Sequence, residues 1–445
     1  MTHFIETLDK SHSGFVEIVE PKNRLELSNV FKKNNKIITI GSGLSFVPNF
    51  FLRGGKSISL KKFNNIITIN KSKLLAKVEA GITVDTLLKT LLRKNLTLKI
   101  LPGWPSVSIG GCVASNVHGK NPYKDGIFQD IVQEIEIITP NENKILIANR
   151  KKNSNLFYNT CGGYGLTGTI ISVTLKINKI FNKSLLQEKY FVKSISEAVK
   201  ILKENKNYTN TYSWHDYSLL TKKNWGKGIV FVHKDTKKNI SKNDKSTYKL
   251  IPKVNLTKIN QPINFYNSFI IKILNIIFYY KNYLFNSKSI KIYESYFPMN
   301  TFPIYLWYFL GGKKGFVEYQ VIIPYRNFEQ FLNKLKKILF NNKITVYGNL
   351  IKLFNGQANG LSFNGRGVCM NLEILNSKEN IFIFKILDKL IIKYGGISAL
   401  YKDSRISIKT IKKQYGKKYL NFINFIKKND KKNKIKSEFS RKLNK

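Results

Sequence analysis

The spacing of apolar residues divides the chain into two textures. In NRLELSNVFKKNN (23–35) apolar positions recur at helical spacing, and KIITIGSGLS (36–45) reads as a strand running into a glycine turn. KLLAKVEAGITVDTLLKTLLRKN (73–95) reads as strand, turn, then a helix from about Thr83 with Leu87, Leu88, Leu91 and Leu92 on one face. IVQEIEIITPNENKILIA (131–148) is a hairpin: two alternating runs joined by Pro-Asn-Glu-Asn. TGTIISVTLKINKI (167–180) supplies another strand, so the chain up to about residue 178 predicts a compact α+β unit. Residues 180–395 carry fewer glycine turns and more aromatics. Strand-like runs there are YSWHDYS (212–218), GIVFVHK (228–234), GFVEYQVIIPY (315–325), ITVYGNLIKLF (344–354) and VCMNLEIL (368–375). Helical runs NFEQFLNKLKKILF (327–340) and NIFIFKILDKLIIKYG (380–395) lie between or after them, which predicts an antiparallel sheet with helices as a second domain. The final stretch, KKNDKKNKIKSEFSRKLNK (427–445), is very basic and is expected on the surface.

A length of 445 residues and an apolar fraction of 42% support two or three packed domains. Net charge is +48. Lysine is spread beside abundant Asn and Ile, as a coding bias would produce; the alternative is a selected basic surface for phosphates, nucleic acid or an anionic membrane face. Cys112, Cys161 and Cys369 form no disulfide framework and sit at no metal-ligand spacing, so no metal is expected and a reducing cytoplasm is compatible. The first residues lack an apolar signal core, and no run reaches the roughly 18 apolar residues of a spanning helix. FYNSFIIKILNIIFYYKNYLF (265–285) is apolar and aromatic, broken by Lys272, Asn275 and Lys281. It fits a buried helix, or an interfacial one whose lysines meet lipid headgroups.

The stretch LPGWPSVSIGGCVASNVHGKNPYKDGIFQDIV (101–132) gathers Gly103, Gly110, Gly111 and Gly119 with His118 and Lys120. Glycines let backbone press against a ligand, and this stretch has the makings of a wall for a large flat cofactor. Gly163-Tyr164-Gly165-Leu166-Thr167-Gly168 matches the dinucleotide fingerprint, but a strand rather than a helix follows, which argues against that fold. Gly41-Ser42-Gly43-Leu44-Ser45 directly follows a strand and can offer backbone N–H groups to an anion. Three glycine clusters in one α+β unit fit a pyrophosphate and a flat ring held by main chain. Cys369 in its strand reads first as packing, and Lys402-Asp403-Ser404-Arg405 reads equally well as a solvated charge run.

These pieces together resemble FAD-dependent oxidoreductases of the vanillyl-alcohol oxidase type, and within them the branch acting on polyprenyl-phosphoryl pentoses. The resemblance runs over nearly the whole chain, through GSGLS (41–45), PGWPSVSIGGCVASNVHGKN (102–121), CGGYGLTG (161–168), YFPMN (296–300), EYQVIIP (318–324), IKLF (351–354), YKDSR (401–405) and SEFSRKL (437–443). It implies an α+β, two-domain FAD-binding fold of the PCMH type. Residues 1–178, completed by 398–445, would bind FAD, and 179–397 would form an antiparallel-sheet substrate domain covering the flavin.

By the same resemblance, Gly41, Ser42, Gly43, Leu44 and Ser45 would hold the pyrophosphate. Pro102, Gly103, Ser108, Gly110, Gly111, Cys112, Asn116, His118, Gly119, Gly163 and Gly168 would line the rest of the cofactor. Trp214, Gln320, Lys352, Cys369 and Lys402 would form the substrate pocket, with His118, Lys120 and Lys402 as catalytic candidates. The family's first glycine loop usually continues Tyr-Gly-Asp; here it reads Phe46-Val47-Pro48, and its HGKNHH-like run reads HGKNPY. The histidine of covalently flavinylated relatives is missing near residue 44, so FAD is expected to be non-covalent.

The implied reaction is oxidation of a sugar hydroxyl, at C2 of a polyprenyl-phosphoryl pentose, as the first half of an epimerisation in cell-envelope glycan synthesis. A short-chain reductase would complete it, and the enzyme would be cytoplasmic and peripheral on the inner membrane face. Nucleic acid is not an expected partner. Two other readings stand beside this one: a soluble aldonolactone or sugar-alcohol oxidase on the same fold, and a basic polyanion- or membrane-binding protein without catalysis.

Overall fold

A computed structural model describes residues 2–141, 144–218, 225–235, 265–286, 288–298, 310–312, 314–347 and 350–443. Met299 and Asn300 of the YFPMN run lie outside the described residues.

The first sheet is four-stranded, in the order Thr2–Glu6, Ser13–Val19, Lys56–Ser59, Ile37–Ile40. Lys56–Ser59 runs parallel to both of its neighbours. The helix Arg24–Lys33 connects them, capped by Asn23, whose side chain accepts from the Glu26 N–H, and it buries Leu27 and Phe31. The second sheet is antiparallel throughout, in the order Ile66–Asn70, Leu75–Glu79, Thr169–Lys176, Val132–Ile138, Ile145–Asn149. It contains the expected 131–148 hairpin. Thr83 caps the helix Val84–Arg93, and Leu87, Leu88, Leu91 and Leu92 are buried along it. Thr169–Lys176 follows the glycine-rich fingerprint as a strand, so the geometry a dinucleotide-binding βα turn needs is absent there.

The helix Ile109–Ser115 has no counterpart in the sequence reading, because paired glycines weaken helix propensity by about 1 kcal/mol each. Tertiary contacts supply what propensity lacks. Ser108 caps it, the Ile109 N–H donates to Ile82 O, and the Gly110 N–H donates to Ala80 O at 2.7 Å.

The third sheet has eight strands, in the order Ser289–Lys291, Ser184–Val192, Gly228–Lys234, Asn210–His215, Leu350–Asn355, Arg366–Leu375, Phe316–Pro324, Ile397–Ser398. Its pairings are antiparallel. Side chains alternate between its faces. Tyr319, Val321, Met370 and Leu372 enter a core with Ala198, Leu202, Phe331, Leu335, Ile383 and Leu387 from the helices Ile195–Glu204, Phe328–Asn341 and Lys378–Lys393. Their sequence neighbours Glu318, Gln320, Cys369 and Asn371 point the other way, into the cavity described below.

The C-terminal tail differs from its expected surface position. Ile435 bridges Ile37 in parallel, and Lys434, Ser437, Phe439, Ser440 and Leu443 are buried. Asp430 accepts from the Lys434 and Ile435 N–H groups, and Lys434 Nζ donates to Phe31 O at 2.7 Å. The lysine count hid a short apolar thread, Ile435-x-x-x-Phe439-x-x-x-Leu443, inside a basic run. The segment 265–285 also divides differently from either expectation. It forms the helix Ser268–Leu284, burying Ile271 and Asn275 while Phe269, Ile276, Ile277, Tyr280, Tyr283 and Leu284 stay exposed. Among the described residues no helix is long and apolar enough to cross a membrane.

Phe439 packs against Tyr164, ring centroids 5.0 Å apart, beneath the third glycine loop. Phe439→Ala is therefore expected to destabilise the fold by about 3–5 kcal/mol in denaturant unfolding; a surface-lying tail would show a change below about 0.5 kcal/mol.

Candidate active site

The three glycine segments meet along one wall of a cavity of about 780 Å³, with the inner face of the eight-stranded sheet opposite. That is the size range of a pre-formed cofactor and substrate site. The Gly41–Ser45 turn lines it throughout. Gly43 has φ +68°, a conformation that favours glycine. A Cβ on Gly41 would stand 2.1 Å from Ser108 Oγ, and that oxygen is engaged by the Gly111 N–H. A Cβ on Gly110 would stand 3.0 Å from both Cβ and O of Ala80. Glycine at 41 and 110 lets the first two glycine segments and the Ala80 turn lie this close. Gly103 is different: its Cβ would meet nothing within 4 Å except Lys120 Nζ at 3.8 Å, so it would project into the cavity.

Of the residues expected around the cofactor, Gly41 to Ser45, Pro102, Gly103, Ser108, Gly110, Gly111, His118 and Gly168 line the cavity. Cys112, Asn116, Gly119 and Gly163 do not. Cys112 faces the hydrophobic core on the far side of its helix. Asn116 caps that helix at φ +46°, and its amide bonds Gln129 and Ser362, so it clamps loops together. Gly163 packs on the preceding helix, where a Cβ would lie 2.2 Å from Asn159 O. Gly119 acts through its carbonyl, which accepts from Lys352 Nζ at 3.2 Å and lies 3.0 Å from His118 Nδ1.

The substrate-side set, Trp214, Gln320, Lys352, Cys369 and Lys402, all lines the cavity, as does Lys120. His118 Nδ1 lies 3.0 Å from the Gly119 carbonyl and 3.5 Å from Lys352 Nζ, and the ring also bonds Gln320. Burial holds the His118 imidazole well below its ordinary pKa, and the Lys352 ammonium adds to this. Burial also pushes Lys352 down to about 8. Lys120 is buried beside the Tyr212 ring at 5.5 Å, and burial followed by repulsion from Lys352 and Lys402 lowers it well below an ordinary lysine. Lys402 donates to Glu318 Oε2 at 2.7 Å and lies 3.8 Å over the Phe46 ring. Phe46, where relatives carry tyrosine, thus offers a π face in place of a hydroxyl. The proline in HGKNPY opens a one-turn helix capped by Asn121.

Sequence reasoning missed Glu318, Asn371, Tyr401 and Tyr212, all on the cavity wall. Period-two alternation from Gln320 and Cys369 would have found Glu318 and Asn371. Tyr401 Oη donates to Gln320 Oε1 at 3.3 Å, a contact no local pattern announces.

A wall of bare backbone facing buried, underneutralised lysines suits a flat ring that gains negative charge on reduction, joined to a pyrophosphate. A family model for an FAD binding domain matches residues 17–147. The chain is an FAD-dependent oxidoreductase with a PCMH-type FAD-binding domain and an α+β fold. It is similar to decaprenylphosphoryl-beta-D-ribose oxidase of Mycolicibacterium smegmatis, 26% identical over 85% of this chain and 83% of that protein. It is also similar to L-galactono-1,4-lactone dehydrogenase 2 of Oryza sativa (29% identical over 42% of this chain and 31% of that protein). D-lactate dehydrogenase [cytochrome] 1 of Saccharomyces cerevisiae is 28% identical over 36% of this chain and 29% of that protein.

Gly103→Val is expected to leave the fold intact and weaken FAD retention by on the order of tenfold, read as flavin per chain after dialysis. Lys352 yields a pH signature. Its folded pKa is about 8, so between there and the ordinary lysine value near ~10.4 the unfolded chain holds the extra proton and stability rises with pH. Wild-type flavin-free protein should gain on the order of 1–3 kcal/mol over Lys352→Met from pH 7 to pH 10.

Proposed function

We propose that this enzyme oxidises a secondary hydroxyl of a sugar carried on an anionic lipid, at C2 of a polyprenyl-phosphoryl pentose, giving the 2-keto sugar as the first half of an epimerisation in cell-envelope glycan synthesis. One juxtaposition carries this reading: the helix Ser268–Leu284 turns Leu274, Phe278 and Lys281 toward the basic cavity and leaves a continuous apolar and aromatic stripe on its other side. A lipid-linked anionic sugar needs both surfaces at once, one for the chain and one for the head. The helix is held at the cavity by Asp216, whose carboxylate pairs with Lys272 at 2.7 Å and accepts from Asn275 at 2.6 Å. Lys227 lies 3.9 Å over the Tyr279 ring, a cation at the level where headgroups would sit.

Bound FAD, held without a covalent link, supplies the two-electron acceptor for the carbinol hydride. The chain's own residues do the rest. The glycine wall orients the ring and excludes water. Lys120 and Lys352, both depressed by burial, and His118 are the groups able to take the hydroxyl proton. Lys402 stabilises negative charge that develops in the cavity, a contribution of about 3–4 kcal/mol in comparable sites. Trp214, against Phe278 with ring centroids 4.7 Å apart, closes the pocket below the helix. The ketone product calls for a reductase of the short-chain type to return it as the epimer, and a membrane quinone or another acceptor would reoxidise the flavin. The setting is the cytoplasmic face of a membrane, with peripheral contact through the helix. Oxidation of free aldonolactones or polyols is the second reading, favoured by the similarity of 42% of the chain to an L-galactono-1,4-lactone dehydrogenase.

Anaerobic mixing with a polyprenyl-phosphoryl pentose is expected to bleach the flavin band, while free galactonolactone leaves it unchanged; the reverse pattern selects the second reading. Ile276→Glu with Tyr283→Glu is expected to abolish flotation with phosphatidylglycerol-containing vesicles and leave the flavin content unchanged. Unchanged flotation removes the membrane-facing role of the helix.

A further inference from the structure

Three lysines line the cavity in unequal company: Lys120 and Lys352 are buried, and Lys402 is partly exposed. Lys120 has only a ring beside it, and Lys352 donates to a carbonyl. Lys402 alone is matched with a carboxylate, that of Glu318, which is itself buried. Glu318 sits on the strand Phe316–Pro324, two residues before Gln320 on the same face, and opposite Glu373 in the sheet register. Around Lys402 the cavity is lined by groups from each neighbouring segment: Glu318 and Gln320, Glu373 across the register, Lys352 on its strand, Cys369 on the next, Tyr401 on its own turn, His118 and Lys120 from the second glycine segment. Phe46 from the first glycine segment lies under its ammonium.

We propose that Glu318 is a positioning residue that holds the Lys402 ammonium above Phe46, so that its charge stands at one fixed place in the cavity while Lys120 and Lys352 are placed by a ring and a carbonyl instead. The physical basis is a division of labour. A charge-assisted hydrogen bond of 2.7 Å to a buried carboxylate fixes where the Lys402 ammonium sits. Burial lowers Lys120 and Lys352, with Lys402 adding repulsion to both and Glu318 partly offsetting it at Lys352. The pair also spans two parts of the chain far apart in sequence: Glu318 lies in the large sheet, and Lys402 follows the sheet's last strand, Ile397–Ser398, at the return to the FAD-binding part. Loss of the carboxylate would leave Lys402 unanchored as well as unneutralised. The inference rests on FAD occupying the cavity and is independent of which sugar is oxidised.

The test uses the holoenzyme and the midpoint potential of its flavin, measured by dye-coupled reduction at pH 7 without substrate. A fixed cation raises that potential, so Lys402→Met should lower it. In the Glu318→Gln background the effect of Lys402→Met should be at most half as large, because the ammonium is no longer held in place. Glu318→Asp should restore the wild-type pattern. An effect of Lys402→Met of equal size in the wild-type and Glu318→Gln backgrounds overturns the proposal. So does a Glu318→Asp background that behaves as Glu318→Gln does. If Glu318→Gln fails to retain FAD, Glu318→Ala takes its place under the same two outcomes. Because no sugar is present, a negative result here leaves the lipid-sugar reading standing, and failure of that reading leaves this one testable.

Discussion

The structure depends on backbone contacts that admit no side chain. Where the Gly41 turn, the Ser108 cap and Ala80 converge, any Cβ on Gly41 or Gly110 would enter occupied space. The first sheet, the second sheet and the helix Ile109–Ser115 are joined at that point. This packing brings the Gly41–Ser45 main chain to one wall of the cavity, an arrangement suited to meeting a pyrophosphate with backbone rather than lysines. The basic side chains reach the cavity from several parts of the chain: His118 and Lys120 follow the second glycine segment, Lys352 lies in the large sheet, and Lys402 follows its last strand. The C-terminal tail threads beneath the third glycine loop and bridges Ile37.

The electrostatics of the cavity follows from that convergence. Burial penalises the charged forms of His118, Lys120 and Lys352, and neighbouring lysines add repulsion. Glu318 on its strand pairs with Lys402. Cys369, beside Lys352, is pushed up to about 12 by burial, so it remains a thiol and contributes shape rather than charge. The overall charge of +48 has little bearing on this arrangement. What matters is that four basic groups meet in one cavity, only Lys402 among them forming an ion pair with a carboxylate among the described residues, which suits a reaction that generates anionic character.

Much of this was legible in the amino-acid order. Hydrophobic periodicity located the 131–148 hairpin, the helix after Thr83 and the strands of the second half, because each buries one clean face. Glycine clustering located the cavity wall, since backbone approach leaves a compositional trace. What escaped was set by tertiary contact. The helix Ile109–Ser115 forms against its own propensity because Ala80 and Ile82 accept its first N–H groups. Asn116 and Cys112 lie within the right motif yet face the protein, since a motif marks a segment and not the direction of each side chain. The tail looked solvated because lysines outnumber its apolar residues, whereas burial is decided by Ile435, Phe439 and Leu443. The helix Ser268–Leu284 is buried on one side and apolar on both, a pattern that a single-sequence hydropathy profile cannot split.

The central claim is that FAD lies between the glycine wall and the basic sheet face. A crystal structure of the yellow, flavin-replete protein tests it most directly. The account predicts pyrophosphate density on the Gly41–Ser45 amides, with the isoalloxazine running past Gly103 toward His118 and Lys402. Flavin density at any other place, or a cavity filled by ordered side chains while the protein remains fully flavin-loaded, would contradict it.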